Sequence, residues 1–328
     1  MLRKSLAVPV LLLLLLFSFS FSLSSGAYEM SLTTVWQTLL QLHPDTLEHT
    51  IIHEIRLPRS LLAVLVGCAL ALAGAAFQAV LRNPLADPYI LGVSGGAALG
   101  AVGAMALGVW LTLSIPLLSF SGALLALAIV YLVGGVHRTS APTLILAGVM
   151  VGSLASALLL FVLWSIPAES VRSAVFWLAG DLSAENVQWI WPGFVLVSLA
   201  AGWLWLMAPA LDLFTQGEDG AADLGLNVTV ARLVVFAAAG AITAAAVALA
   251  GLIGFVGLVV PHVVRLLWGP GHRFLLPTSA LLGASFLLLA DTVSRLVFAP
   301  AQLPVGIITA LIGAPCFLYL LRRREVKL

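Results

Sequence analysis

Ser60-Leu-Leu-Ala-Val-Leu-Val-Gly-Cys-Ala-Leu-Ala-Leu-Ala-Gly-Ala-Ala-Phe-Gln-Ala-Val-Leu81 runs for 22 residues without a charge. At ~1.5 Å per residue, a helix of that length covers roughly 33 Å, the hydrocarbon thickness of a bilayer. Both ends are marked. Arg56 and Arg59 flank Pro58 before the run, and Arg82-Asn83-Pro84-Leu85-Ala86-Asp87-Pro88 closes it. Working outward, nine further apolar runs appear, at about 6–25, 90–110, 113–135, 142–165, 189–208, 230–250, 252–268, 274–298 and 303–321. The division within 230–268 rests on Ala250, Gly251 and Gly254 as a tight reversal, because 39 apolar residues are too long for one crossing. The pattern predicts an all-α polytopic membrane protein of about ten transmembrane helices, with residues 1–328 forming one transmembrane domain.

Composition excludes the other broad classes. Hydrophobic residues are 62% of the chain and charged residues 9%, against about 25% charged in soluble domains. So few charges cannot coat a soluble globule, and so apolar a chain is not disordered. A net charge of +1 with no long basic stripe argues against nucleic-acid binding. Cys68 and Cys316 sit inside apolar runs and supply neither a disulfide framework nor metal spacing. The lysines are Lys4 and Lys327, and no Gly-Lys-Ser/Thr occurs, so the chain has no phosphate-binding P-loop. ATP, if used, must be held by another subunit.

Arg3 and Lys4 precede the first apolar run, and Ser25-Gly26-Ala27 follows it, as in a signal peptide. The run is longer than a signal core of ~7–15 residues, so a retained first span is expected. With the N-terminus in the cytoplasm, eleven of the fifteen basic residues fall inside. Arg56, Arg59, Arg172 and Arg295 fall outside, which satisfies the positive-inside rule with both termini cytoplasmic. An internal echo pairs Ala69–Gly74 with Ala246–Gly251 and Pro84 with Pro261, both at an offset of 177. It relates the second span to the seventh. An odd separation inverts the copies, so inverted-repeat-like halves are expected. Three hydrophilic segments remain: outer ones at 26–59 and 166–188, and an inner one at 209–229 where a cytoplasmic partner would dock.

The rare polar residues carry the functional reading. In Asn83–Pro88, two prolines free backbone carbonyls at the end of a span. Either the segment is an ordinary turn, or Asn83 and Leu85 face a pore, since free backbone at membrane depth lines cavities. Gly92-Val93-Ser94-Gly95-Gly96 matches a hydrolase pattern without its strand–turn–helix context. Gly92, Gly96 and Gly100 read instead as a packing face. His43, His49 and His53, near Asp45 and Glu54, are either solvated loop residues or contacts for a metal or haem. Asp291 and Arg295, four apart, form a local ion pair that leaves room for a docking role. Arg56 and Arg59 snorkel or dock a partner.

Taken together, seven stretches resemble the permease subunit of binding-protein-dependent ABC importers for iron-siderophores, haem and cobalamin, the FecCD-type family. They are Ile55–Arg59, Asn83–Pro88, Leu91–Gly95, Gly254–His262, Leu288–Thr292, Leu303–Thr309 and Gly313–Pro315. The resemblance implies a bacterial inner-membrane permease working by alternating access. It would have no chemistry of its own, and ATP and Mg would sit on two partner ATPase subunits. It also implies a periplasmic binding protein docked on Arg56, Arg59 and Arg295, and a second permease copy completing the pore. The loop Gly217-Glu218-Asp219-Gly220-Ala221-Ala222-Asp223-Leu224-Gly225 would be the ATPase coupling element, with Ala221, Ala222 and Leu224 offering contact and Gly220 and Gly225 punctuating its ends. Asn83, Leu85, Ser140 and Ala141 match the cytoplasmic gate, although the cobalamin permease has a hydroxyl residue where Ala141 stands. Family frequency ranks ferric siderophore first as substrate, then haem and cobalamin. The competing classes are an ion-coupled secondary transporter, for which Asp291 is the one clear mid-membrane acid, and an intramembrane enzyme, for which His262 stands alone.

Overall fold

The computed structural model describes residues 4–40, 46–108, 114–134, 141–183, 187–299 and 301–325, and these contain no strand. The helices are α1 (Lys4–Ser24), α2 (Leu32–Leu39), α3 (Leu47–Thr50), α4 (Leu57–Val80), α5 (Val93–Ala106), α6 (Ser114–Gly134), α7 (Ala141–Ser165) and α8 (Ala168–Leu178). Then come α9 (Ile190–Leu206), α10 (Ala208–Phe214), α11 (Glu218–Asp223), α12 (Val228–Ala250), α13 (Val256–Trp268), α14 (His272–Leu296) and α15 (Val305–Glu325). Seven are long and apolar enough to cross a membrane: α1, the continuous α3–α4 rod from Leu47 to Val80, α6, α7, α9, α12 and α14. Three shorter apolar helices, α5, α13 and the Val305–Tyr319 part of α15, occupy the remaining expected runs.

The directions of the first, second and ninth spans fit a ten-span path. Lys4 at the start of α1 lies 6.0 Å from the ring centre of Phe274 at the start of α14. At the other ends, Ser22 Oγ lies 2.9 Å from Ser60 Oγ of α4 and 2.9 Å from the guanidinium of Arg295. The first and ninth spans therefore run the same way, and the second runs against both.

The centre of the molecule is α4, which α12, α13 and α14 surround. Lipid offers no hydrophobic drive between helices, so close backbone approach must hold them. A Cβ on Gly74 would lie 1.9 Å from the carbonyl oxygen of Gly257, and one on Gly67 would lie 2.4 Å from that of Gly283. The packing face of α5 is built likewise. Cβ atoms on Gly96 and Gly100 would meet the carbonyls of Gly122 and Leu118 at 2.3 and 2.1 Å. Gly92 does not share that face; at φ +76° it turns the chain into α5.

The two halves echo one another. Each of α4 and α12 ends in a non-α stretch that leads into a short helix, of 14 residues in α5 and 13 in α13. The stretch after α12 carries the expected reversal, drawn out over several residues: Leu249 lies level with Leu65 of α4, whereas Gly257 at the start of α13 meets Gly74, so α13 runs back toward the inner side. Residues 251–255 form an irregular segment inside the protein body, entered at Gly251 (φ +67°) and left at Phe255 (φ +69°). A Cβ on Gly251 would meet the carbonyl of Trp177 at 2.1 Å. Backbone groups at this depth need partners, and Tyr89 supplies two. Its hydroxyl accepts from the Ile253 N–H at 3.0 Å and donates to the Ile253 carbonyl at 3.1 Å.

The outer segments also hold more structure than hydrophilicity suggested. The rod that contains α4 continues outward through a π-helical turn, Ile51–Arg56, to Leu47. Within 166–188, α8 leads into residues that plug the body. Asp181 N–H donates to the Ala250 carbonyl at 2.8 Å, and Val305 and Gly306 donate to the carbonyls of Gly180 and Ala179 at 3.1 Å each.

Candidate functional site: a translocation frame with an arginine cluster and a coupling segment

At the outer end, three helices bring Arg56, Arg59 and Arg295 into one network. Asp291 on α14 has no exposed surface. Arg59 clasps it side-on, with Nη2 at 2.8 Å and Nε at 2.9 and 3.1 Å. Arg295, one helical turn away, adds Nε at 3.1 Å. A buried carboxylate between two guanidinium groups satisfies the demand that buried charge be paired. The outer nitrogens turn to neutral oxygens. Arg59 Nη1 donates to Gln302 Oε1 at 2.6 Å. Arg295 reaches the carbonyls of Ser22 and Ser25 at 3.1 Å each. Arg56 donates to the carbonyls of Leu23 and Ser24 at 2.6 and 3.0 Å, and to that of Tyr28. The predicted docking residues are thus gathered in one place, but as buried members of an internal network rather than free side chains on a rim. Asp291 pairs with Arg59 as well as with the expected Arg295. The distant partner, 232 residues away, leaves no local signal.

The expected gate loop is built from two side-chain-capped turns. Asn83 Oδ1 accepts from the Leu85 N–H at 2.9 Å, and Asp87 Oδ1 accepts from the Tyr89 N–H at 2.9 Å. Leu85 is exposed, and Ala141 is buried at the first position of α7. Ser140 lies outside the described residues. Burial pushes the Asp87 carboxyl up to about 6, opposed by the Tyr89 N–H. One residue that sequence reasoning missed ties this loop to the rest. Gln78 donates to the carbonyls of Ala86, Gly257 and Leu258 at 3.2–3.3 Å and accepts from Arg265. It is the only carboxamide in the 60–81 run, and an amide in an apolar span is a signal that could have found it.

On the inner side, the 209–229 segment folds as α10 and α11. α11 starts after Gly217 at φ +113° and stops at Gly225, φ +86°. The Gly225 and Leu226 N–H groups close back on the carbonyls of Ala222 and Ala221, a Schellman ending. Two expectations are corrected. Gly217, not Gly220, punctuates the start, because Gly220 lies within the helix. Ala221 is fully buried against its own chain and offers no surface, whereas Ala222 and Leu224 are exposed, as are Asp219 and Asp223. Glu218 pairs with the buried Arg232 of α12. Asp212 of α10 accepts from both the backbone N–H (3.0 Å) and Nδ1 (2.6 Å) of His272, the first residue of α14. Side-chain contacts therefore join the segment to two spans.

The outer histidines come partly together. His49 and His53 rings lie 4.4 Å apart, and His53 Nε2 is 3.2 Å from the Thr38 carbonyl. His43 and Asp45 lie outside the described residues. Among the described residues, no three His, Cys, Asp or Glu side chains gather as metal ligands.

Known proteins share this architecture. A solved structure described as an inward-facing metal-chelate type ABC transporter superposes with a TM-score of 0.85 at 34% identity, covering 98% of this chain and 99% of that one. The Streptococcus pneumoniae PsaBC structure, at 16% identity and a TM-score of 0.53, shares the fold alone. The uncharacterized ABC transporter permease protein YvrB of Bacillus subtilis (strain 168) is 44% identical over 86% of this chain and 81% of its own. The cobalamin import system permease protein BtuC of Halobacterium salinarum is 43% identical over 93% of this chain and 82% of its own. The sequence pattern of the FecCD transport family matches residues 13–323, and the chain belongs to that family.

Proposed function

We propose that this inner-membrane protein is the translocation subunit of an ATP-driven importer, passing a cobalt corrinoid or related metal chelate from a periplasmic binding protein to the cytoplasm. The observation that carries the reading is the pairing of a ten-helix frame with an inner segment mechanically tied to two spans. A partner ATPase that shifts α10–α11 pulls on α12 through Glu218 and on α14 through Asp212. Alternating access follows if ATP binding favours one arrangement of those spans. Exposed Ala222 and Leu224 offer the ATPase a small apolar contact, with Asp219 and Asp223 beside them. The chain lacks a P-loop, so the ATPase and its Mg belong to separate subunits.

Relatives named for cobalamin import, one at 43% and one from Escherichia coli at 40% identity, move cobalamin ahead of ferric siderophore and haem in the expected order. A second permease copy completes the pore, with Asn83, Leu85, Ser140 and Ala141 at its inner gate. Arg56, Arg59 and Arg295 supply the electrostatic seat for the binding protein, whose carboxylates would steer docking and set register. The ion-coupled alternative loses its main support, because Asp291 is held by two arginines and is not a free proton carrier.

The test is reconstitution in nanodiscs or vesicles. The permease alone should hydrolyse no ATP. With its ATPase and binding protein it should import cyanocobalamin in strict dependence on ATP. Uptake driven by an ion gradient without any ATPase overturns the reading. ATP-dependent import of a ferric siderophore but not cyanocobalamin overturns only the substrate order. Ala222→Trp should abolish ATPase assembly while leaving the folded chain intact, and retained assembly would argue against the coupling segment.

A further inference from the structure

The outer arginine network has two layers. Its inner layer is charged: Asp291 holds the Nε edges of Arg59 and Arg295. Its outer layer is neutral: the Nη nitrogens of Arg56 and Arg295 end on backbone carbonyls of residues 22–28 and on the Ser22 and Thr292 hydroxyls, and Arg59 Nη1 ends on Gln302 Oε1, while Arg59 Nη2 stays with Asp291. Three permanent positive charges thus face one carboxylate, and among the described residues no other acid bonds to these arginines. Residues 22–28, the last turn of α1 and the start of its link to α2, lie across the cluster, with Ala27 and Tyr28 exposed and Ser22 and Leu23 buried. It fits closely: a Cβ on Gly26 would sit 2.7 Å from Arg56 Nη2.

We propose that the 22–28 strap and Gln302 are displaceable placeholders, so that a binding protein docks by exchanging its carboxylates for these neutral oxygens while Asp291 stays in place as the anchor. The inference rests on the docking reading above. Its physical basis is that a carboxylate is a stronger acceptor for a guanidinium than a carbonyl or an amide, roughly twofold in hydrogen-bond strength. The exchange is therefore downhill for the arginines, and its cost is the lifting of the strap. The strap restrains docking and couples it to α1 and α2. The partner this fits presents paired acidic side chains on a soluble surface.

The experiment uses the complete transporter in nanodiscs and its binding protein in the ligand-free form, with association followed optically. Gly26→Ala pushes Arg56 out of the strap, and Gln302→Ala frees Arg59 Nη1. Each should raise docking affinity about fivefold, the scale of one lost internal hydrogen bond, and ATPase activity without binding protein should not change. Docking should also speed hydrogen exchange of amides 24–30. Unchanged or weaker docking in both variants, or unchanged or slower exchange in the strap, overturns the exchange proposal. Arg56→Gln, which spares Asp291, separates the two claims. If it does not weaken docking, the arginine-seat reading fails. If it does, while Gly26→Ala and Gln302→Ala leave docking unchanged, the seat stands and the strap does not restrain it.

Discussion

The two ends of α14 hold carboxylates in opposite settings. At the outer end, Asp291 has no exposure and is fixed by two guanidinium groups. At the inner end, the Asp212 side chain is 43% exposed and caps the helix from α10 through the N–H and ring of His272. Both act on α14, a helix of 25 residues and roughly 37 Å. The outer clasp is dry and sets one carboxylate between two guanidinium groups. The inner one is wet, single-sided and includes an imidazole. The contrast teaches a division of labour: the outer end is built to stay put while the inner end is built to be moved.

Breaking the outer end should have the largest effect. Asp291→Ala strands two buried guanidinium groups, and removing one partner of a buried pair costs about 3–5 kcal/mol. Thermal unfolding in detergent should show a large fall in transition temperature, and a near-native value would refute the anchoring role. Next comes the middle of the helix. Gly283→Val drives a side chain into the Gly67 carbonyl, 2.4 Å from where Cβ would lie. Overpacking of this kind costs ~1–3 kcal/mol; a variant of unaltered stability would show that α4 and α14 are not locked together.

The inner end should respond less in stability and more in coupling. Asp212→Ala removes a cap worth ~1 kcal/mol. The variant should fold and bind the ATPase, yet binding-protein stimulation of ATP hydrolysis should fall several-fold. Full stimulation would mean that α10 does not work through α14. A prediction of pH dependence sharpens the comparison with a third carboxyl. Asp87 in the folded chain titrates at about 6 against an ordinary 3.8, so the native state binds more protons than the unfolded state between those values. Stability should therefore decline as pH rises from ~4 to ~6 and level off above. Asp87→Asn should remove that slope, whereas a slope retained in full would assign it to another group.

Much of this frame is legible in the chain itself. Ten apolar runs found ten helices because bilayer thickness imposes a length that composition reveals, and the Lys and Arg distribution set their direction. Gly96 and Gly100 announced a packing face through simple spacing. What escaped were contacts between residues far apart. Tyr89 meets Ile253 across 164 positions, and Arg59 meets Asp291 across 232. No periodicity encodes such pairs. The glycines at 251 and 254 mark where the chain turns back, but not that the turn lies inside the body as an irregular stretch, because a glycine-rich break looks the same at either depth. The burial of Ala221 is not legible because alanine is at home on either side of a six-residue helix; only the packed fold shows which face is which.

The Tyr89–Ile253 contact bears on how the protein is made. Helix α13 has 13 residues, roughly 20 Å, too short to cross a ~30 Å core unaided. The stretch before it brings bare peptide groups into the membrane. In synthesis order, the loop that carries Tyr89 leaves the ribosome 164 residues ahead of Ile253, so the phenol that pairs both Ile253 backbone groups is made before they are. The first half thus carries the partner that the peptide groups of the second half need at this depth.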